Sequence, residues 1–410
     1  MADRGSSLTH LTVRLSGRQV GLITRLTGDR HVFTFDEAYV DDPNRATLSL
    51  SFKNKMGGVK AAISPHSVRL PPFFSNLLPE GHLRNYLAAR AGVKSEREFF
   101  LLAALGEDLP GAVTVHEDGV SDLDHADADH PADDRIKALR FSLAGVQLKF
   151  SGIMEATGGL TIPASGVGGD WIVKLPSARF PAVPENEYTM LELARRIGIE
   201  VPKLNLVPVE AIDGLPDEAR TVSGNALVVE RFDRAAQGGR IHMEDFAQVF
   251  GIFPHNKYDK RSYAHIAAVL AAEVGAQAVS DFTRRLAFSI LIGNADMHLK
   301  NWSLLYPDGR NPVLAPAYDY VCTVPYLPNQ QLALGFGRSK AMDDITPDQV
   351  RRFADTAQIG ATSLWETVLE TVEQTRAAWR GLGLRDLLPA DLRITLESHM
   401  DKVATNIARH

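Results

Sequence analysis

The sequence predicts an α+β chain in two lobes, with an extra α/β subdomain at its N-terminus and an all-helical C-terminal lobe. Three observations predict it. Strand-type alternation with hairpin turns opens the chain, and an acidic stretch without Lys or Arg interrupts it. Beyond about Asp245 the apolar spacing is almost wholly helical. At 410 residues the chain exceeds what one ordinary core holds, so several subdomains are expected. The expected divisions are 1–115 for the N-terminal subdomain, 116–134 for an acidic linker or loop, 135–235 for a β-rich lobe and 236–410 for the helical lobe.

The elements follow in order. HLTVRL and VGLITRL alternate apolar and polar residues and are joined by Ser16-Gly17-Arg18, a hairpin signal. HVFTFDEAYV follows Thr27-Gly28-Asp29 as a third strand-type run. From Pro79 to Ala91 the spacing is helical, with Leu83, Tyr86 and Leu87 on one face, and REFFLLAALG reads as a second helix stopped by Gly106. Residues 117–134 are acidic and hold almost no large apolar side chain, the composition of an exposed linker. His125 and His130 lie among its aspartates, but the spacing fits no calcium loop. Strand-type runs return in RFSLAGVQLKFSG and DWIVKLP. ENEYTMLELARRI is then an amphipathic helix, with Tyr188, Leu191 and Ala194 spaced by three and Gly198 as its stop. KLNLVPVEAI and NALVVERFD are two further strands, and Thr346-Pro347-Asp348-Gln349 opens a later helix as a capping box with proline in first position.

Bulk properties exclude several classes. The composition, 45% hydrophobic and 23% charged, is that of a soluble globular chain. A net charge of -6 argues against the whole chain binding nucleic acid, which calls for a basic excess, though a local basic patch or a basic partner stays open. The single cysteine, Cys322, rules out an intramolecular disulfide or a cysteine-built zinc site and suits a reducing compartment. MADRGSSLTHLTV has no apolar signal core, and Asp281, Arg284 and Arg285 interrupt the most hydrophobic helix, so a cytoplasmic location is expected.

The chemistry concentrates in GNADMHLKN, residues 293–301, directly after the apolar run LAFSILI. Asn294, Asp296, His298, Lys300 and Asn301 are costly in a segment that the pattern buries, unless they bond one another or bind something. Asp296 and Asn301 are five positions apart, the offset between the catalytic aspartate and the metal-binding asparagine of a kinase catalytic loop. Asp319, in LAPAYDYVCT, is the candidate second carboxylate for Mg²⁺, a hard cation that an Asp and an Asn carbonyl would suit. Upstream, Lys174 lies on a strand whose neighbours should be buried, so it needs an anionic partner, and Glu187 on the following helix is placed to supply it. The loop before Lys174 has Gly145 and Gly152 but no G-x-G-x-x-G, and NALVVERFD would join the lobes with the backbone of Val229 to Phe232 facing an adenine.

Taken in order, SLAGVQLKF, IVKLP, ENEYTMLELARRIGIEVP, VVERFDR, EDFAQVFG, GNADMHLKN and PAYDYV resemble the motifs of HipA-type serine/threonine kinases, the toxins of bacterial type II toxin–antitoxin modules. FTFDEAYV and PPFFSNLLPEGHLRNYLA are similar to that family's own N-terminal subdomain, so the likeness runs from about residue 10 to beyond 345. The resemblance implies a protein-kinase-like fold using ATP and Mg²⁺. Asp296 would be the catalytic base, with His298 and Lys300 in supporting roles, and Asn301 and Asp319 the metal ligands. Lys174, Glu187, Gly145, Gln147, Val229, Glu230 and Phe232 would form the ATP site, and Ser142 the site of an inhibitory autophosphorylation. It further implies an aminoacyl-tRNA synthetase as protein substrate, and a HipB-like helix-turn-helix antitoxin through which the pair reaches operator DNA. Two rival readings use the same residues: a small-molecule phosphotransferase, and a catalytically weak co-repressor acting with the DNA-binding partner. A metal hydrolase on Asp296 and His298 lacks further ligands at a suitable spacing.

Overall fold

The structure is a computed structural model of the chain that describes residues 8–54, 56–60, 63–117, 149–154, 159–162, 169–215, 219, 222–235, 238–327, 330–343 and 345–410. The expectations for Ser142, Gly145, Gln147 and the acidic stretch from 118 onward lie outside these residues. The chain forms two compact units. The first is the described part of Met1–Val146 with Asp233–Pro254 and Asp308–Arg310, and the second is the described part of Gln147–Phe232, His255–Pro307 and Asn311–His410.

The first unit opens with β1 (His10–Leu15), β2 (Arg18–Leu26) and β3 (Arg30–Phe35), followed by α1 (Glu37–Val40), β4 (His66–Ser67), α2 (Pro72–Leu77), α3 (Gly81–Arg90), α4 (Glu98–Leu105) and β5 (Val113–Glu117). The strands make one sheet in the order β4-β3-β2-β1-β5, antiparallel throughout. Alternate residues Leu11, Val13 and Leu15 of β1, with Val113 and Val115 of β5, are buried. Against them pack Phe33, Phe73, Phe74 and Phe99, the rings of Phe33 and Phe74 lying 4.8 Å apart edge to face. HVFTFDEAYV does not stay extended. The Asp36 carboxylate accepts from the Ala38 amide at 2.9 Å, capping α1 and ending the strand at Phe35.

The second unit begins with β6 (Lys149–Met154), β7 (Leu160–Thr161), β8 (Trp171–Lys174), α5 (Val183–Arg196), β9 (Leu204–Pro208), β10 (Ile212–Asp213) and β11 (Asn225–Glu230). Its sheet has the order β10-β7-β6-β8-β11-β9, with only the β7–β10 pair parallel. The chain then returns to the first unit with β12 (His242–Asp245) and α6 (Phe246–Val249), where Asp245 and Gln248 form a reciprocal capping box. Arg234 bridges Asp233 and Asp108 at 2.8 and 2.7 Å, and Asn76 donates to the Ile252 carbonyl, tying this return segment down.

The rest is α7 (Tyr263–Glu273), α8 (Ala276–Leu291), β13 (Ser303–Tyr306), β14 (Val313–Leu314), α9 (Pro347–Ala357), α10 (Thr362–Arg380) and α11 (Ala390–Ile407). The helical lobe of the second unit thus also carries a short hairpin, β13–β14. Thr346 caps α9 by accepting from the Gln349 amide at 3.2 Å, with Pro347 in first position. Phe282 of α8 meets Trp302 edge to face at 4.5 Å, and both are buried. Among the described residues no helix is long and apolar enough to cross a membrane.

Candidate active site

Strand register brings the first cations together. Lys174, the last residue of β8, pairs with Lys149 across β6 and with Leu227 across β11. Residues directly opposite in a ladder share a face, so two ammonium groups point the same way, an arrangement that repels unless an anion sits between them. Asp319 is that anion. Its carboxylate lies 3.4 Å from Lys149 Nζ and is in direct contact with Lys174 Nζ. Lys174 also donates to Glu187, closing a carboxylate–ammonium–carboxylate triad.

Helix α5 supplies Glu187 from its core face. Its buried stripe is Val183, Asn186, Glu187, Met190, Leu191 and Ala194, at helical spacing, with Tyr188 half-buried beside it. Two polar residues therefore stand in an apolar stripe, and both are used. Asn186, fully buried, donates to the Cys322 carbonyl at 2.9 Å and accepts from the Cys322 amide at 3.0 Å, which latches α5 to the segment that follows Asp319. Asn186 Nδ2 also reaches the Tyr326 hydroxyl at 3.1 Å.

GNADMHLKN begins at the residue after Ile292, the C-cap of α8. The Gly293 amide bonds the Ile290 carbonyl and the Asn294 amide the Ser289 carbonyl, a Schellman pair with Gly293 at φ +72°. Only glycine suits this position, because a Cβ would also come within 2.5 Å of Val324. Past the cap, the Asn294 side chain donates to the Asp319 carbonyl at 3.1 Å and accepts from the Asp296 amide at 3.0 Å. Thr323 accepts from the Ala295 amide and donates to the Gly293 carbonyl, which the Thr323 amide also reaches at 3.0 Å, so this loop and the segment after Asp319 are cross-linked outside any sheet. Asn301 Nδ2 donates to the Asp296 carbonyl at 2.8 Å, which leaves its Oδ1 as the amide's acceptor. Tyr318 donates to the Lys300 carbonyl at 2.8 Å and its ring lies 5.5 Å from that of Phe232. Asp319 itself takes φ +55°, a left-handed conformation that aspartate tolerates better than most residues.

The electrostatics follow from these contacts. Burial works against the charge of Lys174, and Asp319 and Glu187 outweigh it, holding the ammonium above its ordinary range. Burial would raise Asp319, but Lys149 and Lys174 hold it far below the usual carboxylate range. Glu187 goes the other way: burial pushes it up, Lys174 pulls it back only in part, and Asp319 adds to the rise. Protein crowding around the open side chain of Asp296 raises its carboxyl, opposed by a 2.7 Å hydrogen bond from Tyr258.

Lys174, Glu187, Asp296, Asn301 and Asp319 are thus assembled in one bonded set, with His298 buried as the cap of the short 3₁₀ turn that carries Lys300 and Asn301. Val229 and Glu230 lie within the ladder, opposite Ile172 and Trp171, and Phe232 follows its end. Sequence reasoning missed Lys149, Asn186 and Tyr258. The first lies in the quoted SLAGVQLKF and the second beside Glu187, but only register and helix phase reveal them; Tyr258 carried no local signal. No cluster of three His, Cys, Asp or Glu suited to a metal occurs among the described residues.

The chain matches the family model for the HipA N-terminal domain over residues 11–116 and that for the HipA-like C-terminal domain over residues 141–379. Y4dM of Sinorhizobium fredii is 49% identical over 399 residues, 97% of each chain, and Y4mE of the same organism is 32% identical over 404 residues, 90% of each. The serine/threonine-protein kinase toxin HipA of Shewanella oneidensis is 26% identical over 372 residues, covering 82% of this chain and 81% of that one. A solved complex of HipA, HipB and operator DNA from Shewanella oneidensis shares the fold, with a TM-score of 0.73 at 22% identity over 98% of this chain and 97% of that chain.

Proposed function

This chain belongs to the HipA family of kinases, and we propose that it transfers the γ-phosphoryl group of ATP to a serine or threonine hydroxyl of a protein, as the toxin of a type II toxin–antitoxin pair. The observation that carries the reading is the Lys174–Glu187–Asp319 triad, bonded through Asn294 to the loop that bears Asp296 and Asn301. Lys174 holds the ATP phosphates while Glu187 keeps it in place. Asp296 accepts the proton of the attacking hydroxyl, and burial, which raises its carboxyl, makes it a better base than an ordinary aspartate. His298 and Lys300 support the transferred phosphate, and the segment from Val229 to Phe232 takes the adenine, with Gly145 and Gln147 in the loop that covers the phosphates.

The donor set fits Mg²⁺. That cation takes one or two protein oxygens and fills its octahedron with water and phosphate, and the Asp319 carboxylate with the Asn301 Oδ1 would offer such a pair. When bound, Mg²⁺ would neutralise phosphate charge, relieving Asp319 of its two lysines.

The protein acceptor is an aminoacyl-tRNA synthetase, and transfer to Ser142 of the chain itself is the inhibitory branch; both follow the family likeness. A HipB-like antitoxin is the partner, and contact with operator DNA runs mainly through it, in keeping with a net charge of -6 and with the composition of the Shewanella complex. A cytoplasmic site of action agrees with this substrate. The test is transfer from γ-labelled ATP and Mg²⁺ to purified synthetases, with small alcohols as the rival acceptors. Labelled synthetase is the expected result, and Asp296→Asn should slow it roughly 10²–10⁴-fold without loss of fold. Label confined to small alcohols would overturn the protein-kinase reading. Equal, negligible transfer by parent and variant would favour the co-repressor.

A further inference from the structure

We propose that Tyr258 is a positioning residue for the transfer: it holds the Asp296 carboxylate by Oδ1, so that Oδ2 faces the attacking hydroxyl. The inference rests on the reading of Asp296 as the base. The Tyr258 hydroxyl donates to Asp296 Oδ1 at 2.7 Å, and no other described residue donates to this carboxylate. Asp296 is exposed, and an exposed aspartate is free to rotate about both side-chain torsions. A base that must meet a hydroxyl within hydrogen-bond reach loses rate when it wanders by an ångström. One oxygen pinned and one open is the arrangement that limits this loss.

Tyr258 is itself held to the loop that it serves. Its ring meets that of His298 edge to face at 5.0 Å and an 80° angle, and Lys257 Nζ lies 5.6 Å from its centroid. The Lys257 carbonyl accepts from the Leu299 amide at 3.2 Å, so the backbone beside Tyr258 is tied to the middle of the catalytic loop. The charged groups that bear on Asp296 are Lys257 from this same segment, Lys149 from β6 and Asp319. None of them bonds Oδ1, which leaves the pinning to Tyr258. In the transfer, the acceptor oxygen forms a bond to the γ-phosphorus, the bond to the β–γ bridging oxygen breaks, ADP leaves with that electron pair, and the hydroxyl proton passes to Asp296 Oδ2. The phenol keeps its own proton throughout.

The experiment is Tyr258→Phe in the full chain, which keeps the ring against His298 and removes only the hydroxyl at a position that is 39% exposed. Phosphate transfer from γ-labelled ATP with Mg²⁺ to purified synthetase is followed with ATP varied, and fold is checked by circular dichroism. The expected result is kcat lowered roughly tenfold to a hundredfold with the KM for ATP unchanged. An unchanged kcat overturns the proposal, as does a raised one, which would mean that the phenol occupies the acceptor's place. KM and kcat falling away together would mark a general distortion and also overturn it. Asp296→Asn is run alongside: if it transfers at the parent's rate, the base assignment itself fails, whereas an inactive Asp296→Asn with a parent-like Tyr258→Phe sinks only the role of Tyr258.

Discussion

Lys174 keeps a charge where burial ordinarily denies one. It is 4% exposed, and it stays ionised because two carboxylates face it. Removing it leaves Glu187 buried without its cation, the situation in which broken buried pairs cost about 3–5 kcal/mol. Lys174→Met is therefore expected to abolish ATP binding and to destabilise the second unit. The pH dependence has a definite sign. Glu187 already has a raised pKa, and without Lys174 it rises further, so its ionisation opposes folding at every pH above the unfolded carboxylate value. The deficit of Lys174→Met relative to the parent should widen from pH 5 to pH 8 in urea denaturation. A deficit constant across that range would count against the triad as described. The parent is expected to show the converse for Asp319, whose depressed pKa contributes stability above about pH 4 that is lost as pH falls toward its folded value.

At the scale of elements, the site depends on how α5, the C-terminus of α8 and the segment from Asp319 to Thr323 are fastened. Asn186 makes two backbone hydrogen bonds to Cys322 from inside the core, and Cys322 is itself buried, its thiol pushed up to about 12 by desolvation. Asn186→Ala leaves a buried amide and carbonyl unpaired, at a cost of about 1–3 kcal/mol for each buried group left unsatisfied. Hydrogen exchange should quicken at residues 320–326, and the Lys174–Glu187 pair should loosen with it. Exchange unchanged in that stretch would mean that the other bonds, from Asn294 and Thr323, hold it alone. The Schellman end of α8 works in the same way: a chain that must reverse tightly at Gly293 delivers Asn294 and Asp296 in a fixed order.

At the scale of the molecule, the two units offer separate readouts. All four tryptophans, Trp171, Trp302, Trp365 and Trp379, lie in the second unit, so tryptophan fluorescence reports that unit alone. The first unit holds His242, fully buried with Nε2 2.8 Å from the Leu48 carbonyl, its pKa lowered to about 4 by burial. Between pH 6.5 and 4 the unfolded chain binds a proton that the folded ring refuses, so stability falls as pH falls through that window. The full loss is on the order of 3 kcal/mol. Far-UV circular dichroism of urea unfolding at pH 7 and 4.5 should show this loss, and His242→Asn should lessen it. An equal loss in the variant would assign the acid sensitivity elsewhere.

The sequence by itself determined the local elements and singled out the candidate reacting groups. Period-two runs gave the strands, three-to-four spacing and caps gave the helices, and the five-residue offset of Asp296 and Asn301 marked the loop, because each of these is written within one turn or one strand. Local signals also misled where a single side chain intervened, as at Asp36, whose cap turned a strand-like run into α1. Tertiary structure alone decided which groups meet. Lys149 faces Lys174 through strand register, Asn186 faces Cys322 through helix phase, and Tyr258 reaches Asp296 across 38 positions of chain. No pattern along the sequence encodes such pairings, since they are fixed by packing between elements whose separation in the chain carries no chemistry.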